Sequence, residues 1–309
     1  MASPAPRPIL IAGPTASGKS ALALAIAERV GGVIINADSM QVYRELHVLT
    51  ARPSAADEQR VSHRLYGHVS VLEPYSVARW LVDVESVLAE VRETGLRPII
   101  VGGTGLYFKA LTEGLSPLPP IPDAIRQHWR SIARQSAAGA LHGELHKRDR
   151  IMADRLTPRD IQRITRALEV IDATGRSLAD WQACLGTPLI LPDDAIKLRV
   201  DRPRLDLQAR ADQRFDAMIA EGAVEEVRAV MALSPSPEAP AVHALGFNPL
   251  AEMVAGRLPI EAAAEMSRLA TRQYIKRQQT WLKRYMIAWN PIEMTDHCEI
   301  DAIFMTNID

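Results

Sequence analysis

The chain has 309 residues, 47% of them hydrophobic and 24% charged, with a formal net charge of −1. That length can bury one large core, or a core with a smaller inserted domain, and the near-neutral balance leaves any nucleic-acid role to local clusters of charge. Cys184 and Cys298 are the two cysteines, far apart and without CxxC or Cys/His spacing, which argues against a disulfide framework and against zinc.

The N-terminal MASPAPRP lacks the apolar core of a signal peptide, and no run approaches the length of a membrane span, so a cytosolic protein is expected. Pro8 to Ala12 is a short apolar run, as in a strand buried on both faces. A helix is predicted from about Lys19 to Val30, stopped by Gly31-Gly32, and Val33-Ile34-Ile35 forms a second strand. Residues 77 to 93 have helical apolar spacing. Pro98 to Val101 gives a third strand, followed by Gly102-Gly103-Thr104-Gly105 and another helix. Strands alternating with helices imply right-handed crossovers and a parallel sheet covered on both faces.

The proline-rich GLSPLPPIP, residues 114 to 122, then interrupts this pattern. Only helix patterns follow from Asp123 to Cys184. Strand character returns at Ile196 to Val200, and long helices run to about Trp289, with a surface loop at SPSPEAP, residues 234 to 240. No internal repeat is present. A monomer is expected, since no large apolar seam stands out.

Gly13-Pro14-Thr15-Ala16-Ser17-Gly18-Lys19-Ser20 matches G-x-x-x-x-G-K-[ST] between a buried strand and a helix start. Glycines there let backbone N–H groups turn around an anion at the positive helix end, Lys19 adds charge, and Ser20 can ligand Mg²⁺. The site binds a polyphosphate. The fold class is therefore α/β: a P-loop NTPase-like parallel sheet flanked by helices over residues 1–115 and 195–309, with an all-helical insertion over 116–194. Which polyphosphate is bound stays open. The third strand ends in glycines rather than in a metal-binding Asp, and a loop that cradles two phosphates can equally hold a diphosphate leaving group.

Asp38-Ser39-Met40-Gln41-Val42-Tyr43-Arg44, Thr50-Ala51-Arg52-Pro53, VGGTGLY (101 to 107), IQRITRALEV (161 to 170) and ATRQYIKRQQTWLKR (270 to 284) carry further information. With the phosphate loop, and in this order, they resemble the tRNA dimethylallyltransferase family over nearly the whole chain. Members of that family prenylate N6 of the adenosine beside the anticodon, position 37, using dimethylallyl diphosphate. The resemblance implies that the loop holds this diphosphate, with Lys19, the loop amides and Mg²⁺ stabilising the charge that builds on the leaving group. It implies that Asp38 accepts the proton from N6 and that the Thr104 hydroxyl lies near the diphosphate or the target nucleotide. The structural alternatives are a helix cap for Asp38 and a tight glycine-rich turn for Thr104.

The resemblance also implies tRNA contacts at Asp38, Ser39, Met40, Gln41, Thr104 and Arg126, and at Gln162, Arg163, Ile164, Thr165 and Arg166. Further contacts are implied at His243, Ala244, Leu245, Gly246, Phe247 and Asn248, and at Lys276, Arg277, Gln278, Gln279, Thr280, Trp281, Leu282 and Lys283. One departure stands out: Phe247-Asn248 occupies the place where the family usually has Tyr followed by Arg or Lys.

Residues 268 to 285 contain no acid. Arg268, Arg272 and Lys276 recur every four positions on one helix face, with Arg277, Lys283 and Arg284 nearby and Tyr274, Trp281 and Tyr285 interleaved. Such a surface suits phosphates and unpaired bases, against the alternative of a plain solvated face. For Arg163 and Arg166 the alternative is salt bridging to Asp154, Asp160 or Glu169. Reaching the adenine is expected to require turning it out of its stack, with insertion and core closing around the anticodon loop. Arg210 and Arg214, one turn apart, could clamp a diphosphate, or instead pair with Asp206, Asp212 or Asp216. Competing functions are a P-loop kinase of a nucleotide or metabolite, prenyl transfer to free AMP or ADP, and a non-enzymatic RNA-binding module that senses nucleotide.

Overall fold

The computed structural model describes residues 6–184 and 186–294; Cys298 lies outside them. The chain divides into two compact units, one running to Thr112 and resuming at Leu189, the other spanning Glu113–Pro188. In the first unit, β1 (Ile9–Ala12), β2 (Gly32–Asn36), β3 (His63–Arg64), β4 (Arg97–Gly102), β5 (Ile196–Asp201) and β6 (Asn290–Glu293) make one sheet. Its order is β3-β2-β4-β1-β5-β6, and every pairing is parallel. The connecting helices α1 (Lys19–Val30), α2 (Ala55–Arg60), α3 (Val77–Thr94) and α4 (Gly105–Glu113) precede the insertion.

The alternation of strand side chains divides the core into two layers. Ile9, Ile11, Ile34, Ile99 and Val101 pack on Leu22, Ala23, Ile26 and Ala27 of α1. Leu10, Ala12, Val33, Ile35 and Ile100 face Trp80, Val84, Val87 and Val91 of α3, with Tyr107, Phe108 and Leu111 of α4. The α3 residues recur at spacings of four, three and four, the stripe that a helix needs on a sheet. Ser76 starts α3 by accepting a bond from the Arg79 N–H, and Gly95 ends it at a φ of 70°.

Two strands escape the sequence reading, and both are edges. His63–Arg64 is two half-buried residues, and Asn290–Glu293 buries Ile292 alone. Neither carries the continuous apolar run of a central strand. The boundary of the insertion also lies earlier than expected. The Leu189 and Ile190 N–H groups donate to the Leu111 carbonyl at 3.0 and 3.2 Å, which ties them to α4 rather than to the insertion.

The second unit consists of α5 (Asp123–Gln135), α6 (Ala138–Arg148), α7 (Arg150–Arg155), α8 (Ile161–Thr174) and α9 (Leu178–Ala183). It has its own core around Trp129, Leu141, Leu145, Met152, Ile164 and Leu168. The first unit resumes with α10 (Arg204–Ala220), α11 (Ala223–Ala232), α12 (Phe247–Val254) and α13 (Ile260–Tyr285).

β2 and β4 approach so closely at Gly102 that a Cβ there would overlap the Ala37 carbonyl. Replacing Gly102 with alanine is expected to destabilise the fold by about 1–3 kcal/mol. This should appear as a lower urea midpoint with an unchanged slope; an unmoved midpoint would show that the backbone has room to yield.

Candidate active site

The chain leaves β1 for β2 but skips one position in the sheet, which β4 later fills. The carboxyl ends of β2, β4 and β1 are therefore neighbours, at the kind of topological switch where open α/β sheets bind ligands. Each end carries a segment singled out by sequence: residues 13–20 after β1, Ala37 to Gln41 after β2, and Gly103 to Gly105 after β4.

The phosphate loop bends through left-handed conformations at Ala16, with a φ of 64°, and at Gly18, with a φ of 93°. Ser17 is buried, and a Cβ on Gly13 would stand 2.8 Å from its Oγ, so only glycine lets the loop close over that side chain. A pocket of about 380 Å³ lies over the loop, lined by Ala16, Gly18, Lys19, Ser20, Ala21, Arg210, Gln213 and Arg214. The lining contains cations and no acid.

Lys19 donates to the Pro14 carbonyl at 3.3 Å. Burial pushes its pKa down from 10.5 to about 8, with Asp38 opposing and Arg214 reinforcing the shift. Arg214 donates to the Thr15 hydroxyl, and Arg210 to the Ala16 carbonyl at 3.4 Å. Burial also lowers the Arg214 pKa, against the pull of Asp38. Two of the three carboxylates expected to compete for these arginines are engaged by α13: Asp212 accepts Arg272 at 2.7 Å, and Asp216 accepts Arg268. Cations gathered in a partly desolvated pocket make an anion site.

Asp38 is not a helix cap. A turn follows it, and its Oδ1 accepts the Met40 N–H at 2.9 Å. Its position is set by Asn36, a residue missed in the sequence. The fully buried Asn36 side chain accepts the Asp38 N–H at 2.8 Å and donates to the carbonyls of Asp38 and Leu65, each at 3.0 Å. Trp80 Nε1 in turn donates to the Asn36 carbonyl at 2.9 Å. The available signal was an asparagine closing the apolar run VII. Thr104 Oγ1 accepts the Ser39 N–H at 3.0 Å, which joins the β4 turn to the Asp38 turn. Tyr66, Tyr107 and Tyr274 surround this wall, their phenols held neutral by burial first and by the charge of Asp38 second.

Several of the expected RNA contacts are buried or already have partners within the chain. Gln41 spends its amide on the carbonyls of Thr50 and Ala51, at 2.9 and 2.8 Å. Ala244, Gly246 and Phe247 are buried, and Gly246 opens α12 at a φ of 87°. The Phe247 ring lies in the core. Leu245 is half-buried, while His243 and Asn248 are exposed. In the insertion, Ile164 and Thr165 are buried. Arg166 pairs with the buried Glu169 at 3.1 Å, Arg163 with Asp160 at 3.3 Å and Arg126 with Asp123 at 3.6 Å. Gln162 is exposed.

Helix α13 has two faces. Leu282 is core, and Gln278 is 6% exposed, bonded to the phosphate loop and to the β4 turn rather than facing RNA. Trp281 is half-buried against Gly105, and Gln279 is half-buried as well. Arg268 and Arg272 are taken by Asp216 and Asp212. Lys276, Arg277, Thr280, Lys283 and Arg284 remain exposed along one side of the helix. Arg277 stacks over Tyr274 and Arg284 over Tyr285, with 5.5 and 5.3 Å to the ring centroids. An exposed basic face is present, but it begins at Lys276, about two turns later than the sequence spacing suggests.

No cluster of three or more His, Cys, Asp or Glu able to hold a metal occurs among the described residues. Ser20 is the exposed hydroxyl in the pocket lining. A hard cation there would take this oxygen and complete its shell from phosphate and water, as Mg²⁺ commonly does. No helix among the described residues is long and apolar enough to cross a membrane.

A family model described as IPP transferase matches residues 41–285. The chain is 52% identical to a tRNA dimethylallyltransferase of Agrobacterium fabrum over 90% of this chain and 93% of that protein. It is 48% identical to a tRNA dimethylallyltransferase of Parvibaculum lavamentivorans over 100% and 98%, so that similarity includes the phosphate loop and Asp38. Among solved structures, it resembles the full-length tRNA isopentenylpyrophosphate transferase of Bacillus halodurans, with a TM-score of 0.68 and 29% identity over 97% and 93% of the two chains. It also resembles a eukaryotic dimethylallyltransferase acting on tRNA, with a TM-score of 0.77 and 25% identity over 98% and 76%.

The depressed Lys19 pKa gives the pocket a pH signature. A bound anion favours the ammonium form, so pyrophosphate affinity should fall as pH rises from about 8 toward 10.5, by up to about tenfold per unit. Lys19→Arg keeps its charge throughout and should show only the titration of the ligand. Calorimetric titration of both proteins checks this, and identical pH profiles would remove Lys19 from the anion.

Proposed function

The chain belongs to the IPP transferase family, and we propose that it transfers the dimethylallyl group of dimethylallyl diphosphate to N6 of the adenosine at position 37, beside the anticodon of tRNA, releasing diphosphate. The observation that carries this reading is the meeting of an acid-free cationic pocket with the Asp38 turn, at neighbouring strand ends. The names of the relatives support tRNA as the acceptor and do not favour the kinase or free-nucleotide alternatives. The exposed basic face of α13 supplies a surface suited to an RNA backbone. We place the reaction in the cytoplasm, with the enzyme acting as a monomer.

The chemistry follows from the charges. As the allylic C–O bond breaks, its electron pair leaves with the diphosphate, while the N6 lone pair forms the new C–N bond. Lys19, Arg214 and the loop amides are in place before the leaving-group charge develops, so they need not reorganise in order to stabilise it. Mg²⁺, held by Ser20 and the diphosphate oxygens, would supply further neutralisation. The exocyclic amine is a weak nucleophile because its lone pair is shared with the ring. Asp38 takes the N6 proton as the bond forms, and the Asn36 brace keeps the carboxylate aimed. Thr104 holds the Ser39 turn beside it.

Labelled dimethylallyl diphosphate with Mg²⁺ is expected to label an anticodon stem-loop carrying adenosine 37. The same loop with that base replaced, and free AMP, should stay unlabelled. Label on AMP, or ATP consumption without transfer, would overturn the proposal. Asp38→Asn keeps the turn's acceptor oxygen and should lower turnover by about 10²–10⁴-fold with stem-loop affinity retained. Lys276→Ala combined with Arg277→Ala should instead weaken stem-loop binding and reduce the slope of log affinity against log salt by about 1.5. An unchanged slope would turn that face away from the RNA.

A further inference from the structure

We propose that Gln278 is a positioning residue: its side-chain amide fixes the gap between the phosphate loop and the wall that carries Asp38. The inference rests on the prenyl-transfer reading above. Gln278 lies midway along α13, and each end of its amide is used. Oε1 accepts the Thr15 N–H at 2.9 Å, and Nε2 donates to the Gly103 carbonyl at 2.9 Å. These partners belong to segments that follow different strands of the sheet, so one planar group spans the seam between them.

The seam is tight. A Cβ on Gly103 would overlap Nε2 and would lie 3.4 Å from the Gly13 carbonyl oxygen and 3.5 Å from Asp38 Oδ2. On one side of the strut, Thr15 receives Arg214, which faces the pocket. On the other side, Thr104 follows Gly103 and holds the Ser39 N–H beside Asp38. The two halves of the reaction, leaving-group stabilisation and proton acceptance, are thereby registered to each other through one side chain. In-line displacement is sensitive to misplacement of about 1 Å, which can cost about 100-fold in rate.

The strut needs an acceptor and a donor side by side, which an aliphatic side chain of the same length lacks. Gln278→Met should therefore lower kcat about 100-fold at every pH and leave the KM for the stem-loop near its original value. Glutamate behaves differently in each protonation state. Ionised, it still accepts from Thr15 but sets a second acceptor against the Gly103 carbonyl; protonated, it reproduces the glutamine pattern. Burial and that carbonyl both favour the protonated form.

The test measures kcat, the stem-loop KM and the thermal midpoint for the unaltered protein, Gln278→Met and Gln278→Glu between pH 5.5 and 9, the assay range. The ratio of Gln278→Glu to unaltered kcat is expected to climb as pH falls, while the Gln278→Met ratio stays low and flat. The uncharged methionine separates loss of the strut from simple repulsion of the diphosphate. Turnover by Gln278→Met within threefold of the unaltered protein, parallel ratios for the two variants, or a raised stem-loop KM at unchanged kcat would each overturn the proposal. Should Gln278→Met fail to fold, the pH ratio of Gln278→Glu decides alone. If the unaltered chain transfers no label, the prenyl-transfer reading fails on its own account. Pyrophosphate titration then still judges the strut, which predicts about tenfold weaker binding by whichever variant folds, Gln278→Glu being titrated at the high-pH end of the range; unchanged affinity would overturn it.

Discussion

The site depends on one steric constraint, the close approach of β2 to β4 at Gly102. Because that residue has no side chain, the Ala37 carbonyl can lie against the end of β4, and the Ala37 N–H bonds to the Val101 carbonyl at 2.8 Å. Widening this contact would move the Asp38 turn away from the glycine-rich turn and from the phosphate loop beyond it. The neighbouring glycines serve the same geometry: Gly103 leaves room for Gln278, and Gly105 leaves room for the Trp281 ring. The GGTG run is thus better understood as a seam that must stay thin than as a loop that must stay flexible.

Charge is sorted as carefully as volume. Helix α10 carries Arg210, Asp212, Arg214 and Asp216 within two turns, and local pairing among them would leave little net field at the loop. Arg268 and Arg272 of α13 instead engage the two aspartates, and the two α10 arginines lie against the phosphate loop. The cationic pocket is therefore maintained by ion pairs outside it. An isolated surface pair contributes little to stability. Here the pairs matter more for where they leave the remaining charge.

Much of this was legible in the sequence where the information is local. The phosphate loop is eight contiguous residues between a strand and a helix, and the central strands are apolar throughout because both faces are covered. Asp38 could be placed at a strand end because VII precedes it. Legibility failed where the answer depends on rotation of a helix or on a partner distant in the chain. The spacing of IQRIT identifies a helix face but not which way it turns, and Ile164 and Thr165 turn inward. Gln278 and Lys276 are two residues apart in a basic segment, yet one is buried and the other exposed. The edge strands β3 and β6 were invisible because an edge needs no continuous apolar run.

Gln278 and Lys276 show how a contact to the phosphate loop and an exposed basic surface can belong to one helix. Successive residues of a helix are rotated by about 100°, so Gln278 points away from the side formed by Lys276, Thr280 and Lys283. The inward side chain is neutral and hydrogen-bonds at both ends, which suits a buried site between the phosphate loop and the Asp38 turn. The outward lysines are flexible cations exposed to water. One helix therefore carries both the exposed cations and, on its other side, the amide that holds Thr15 and Gly103 together.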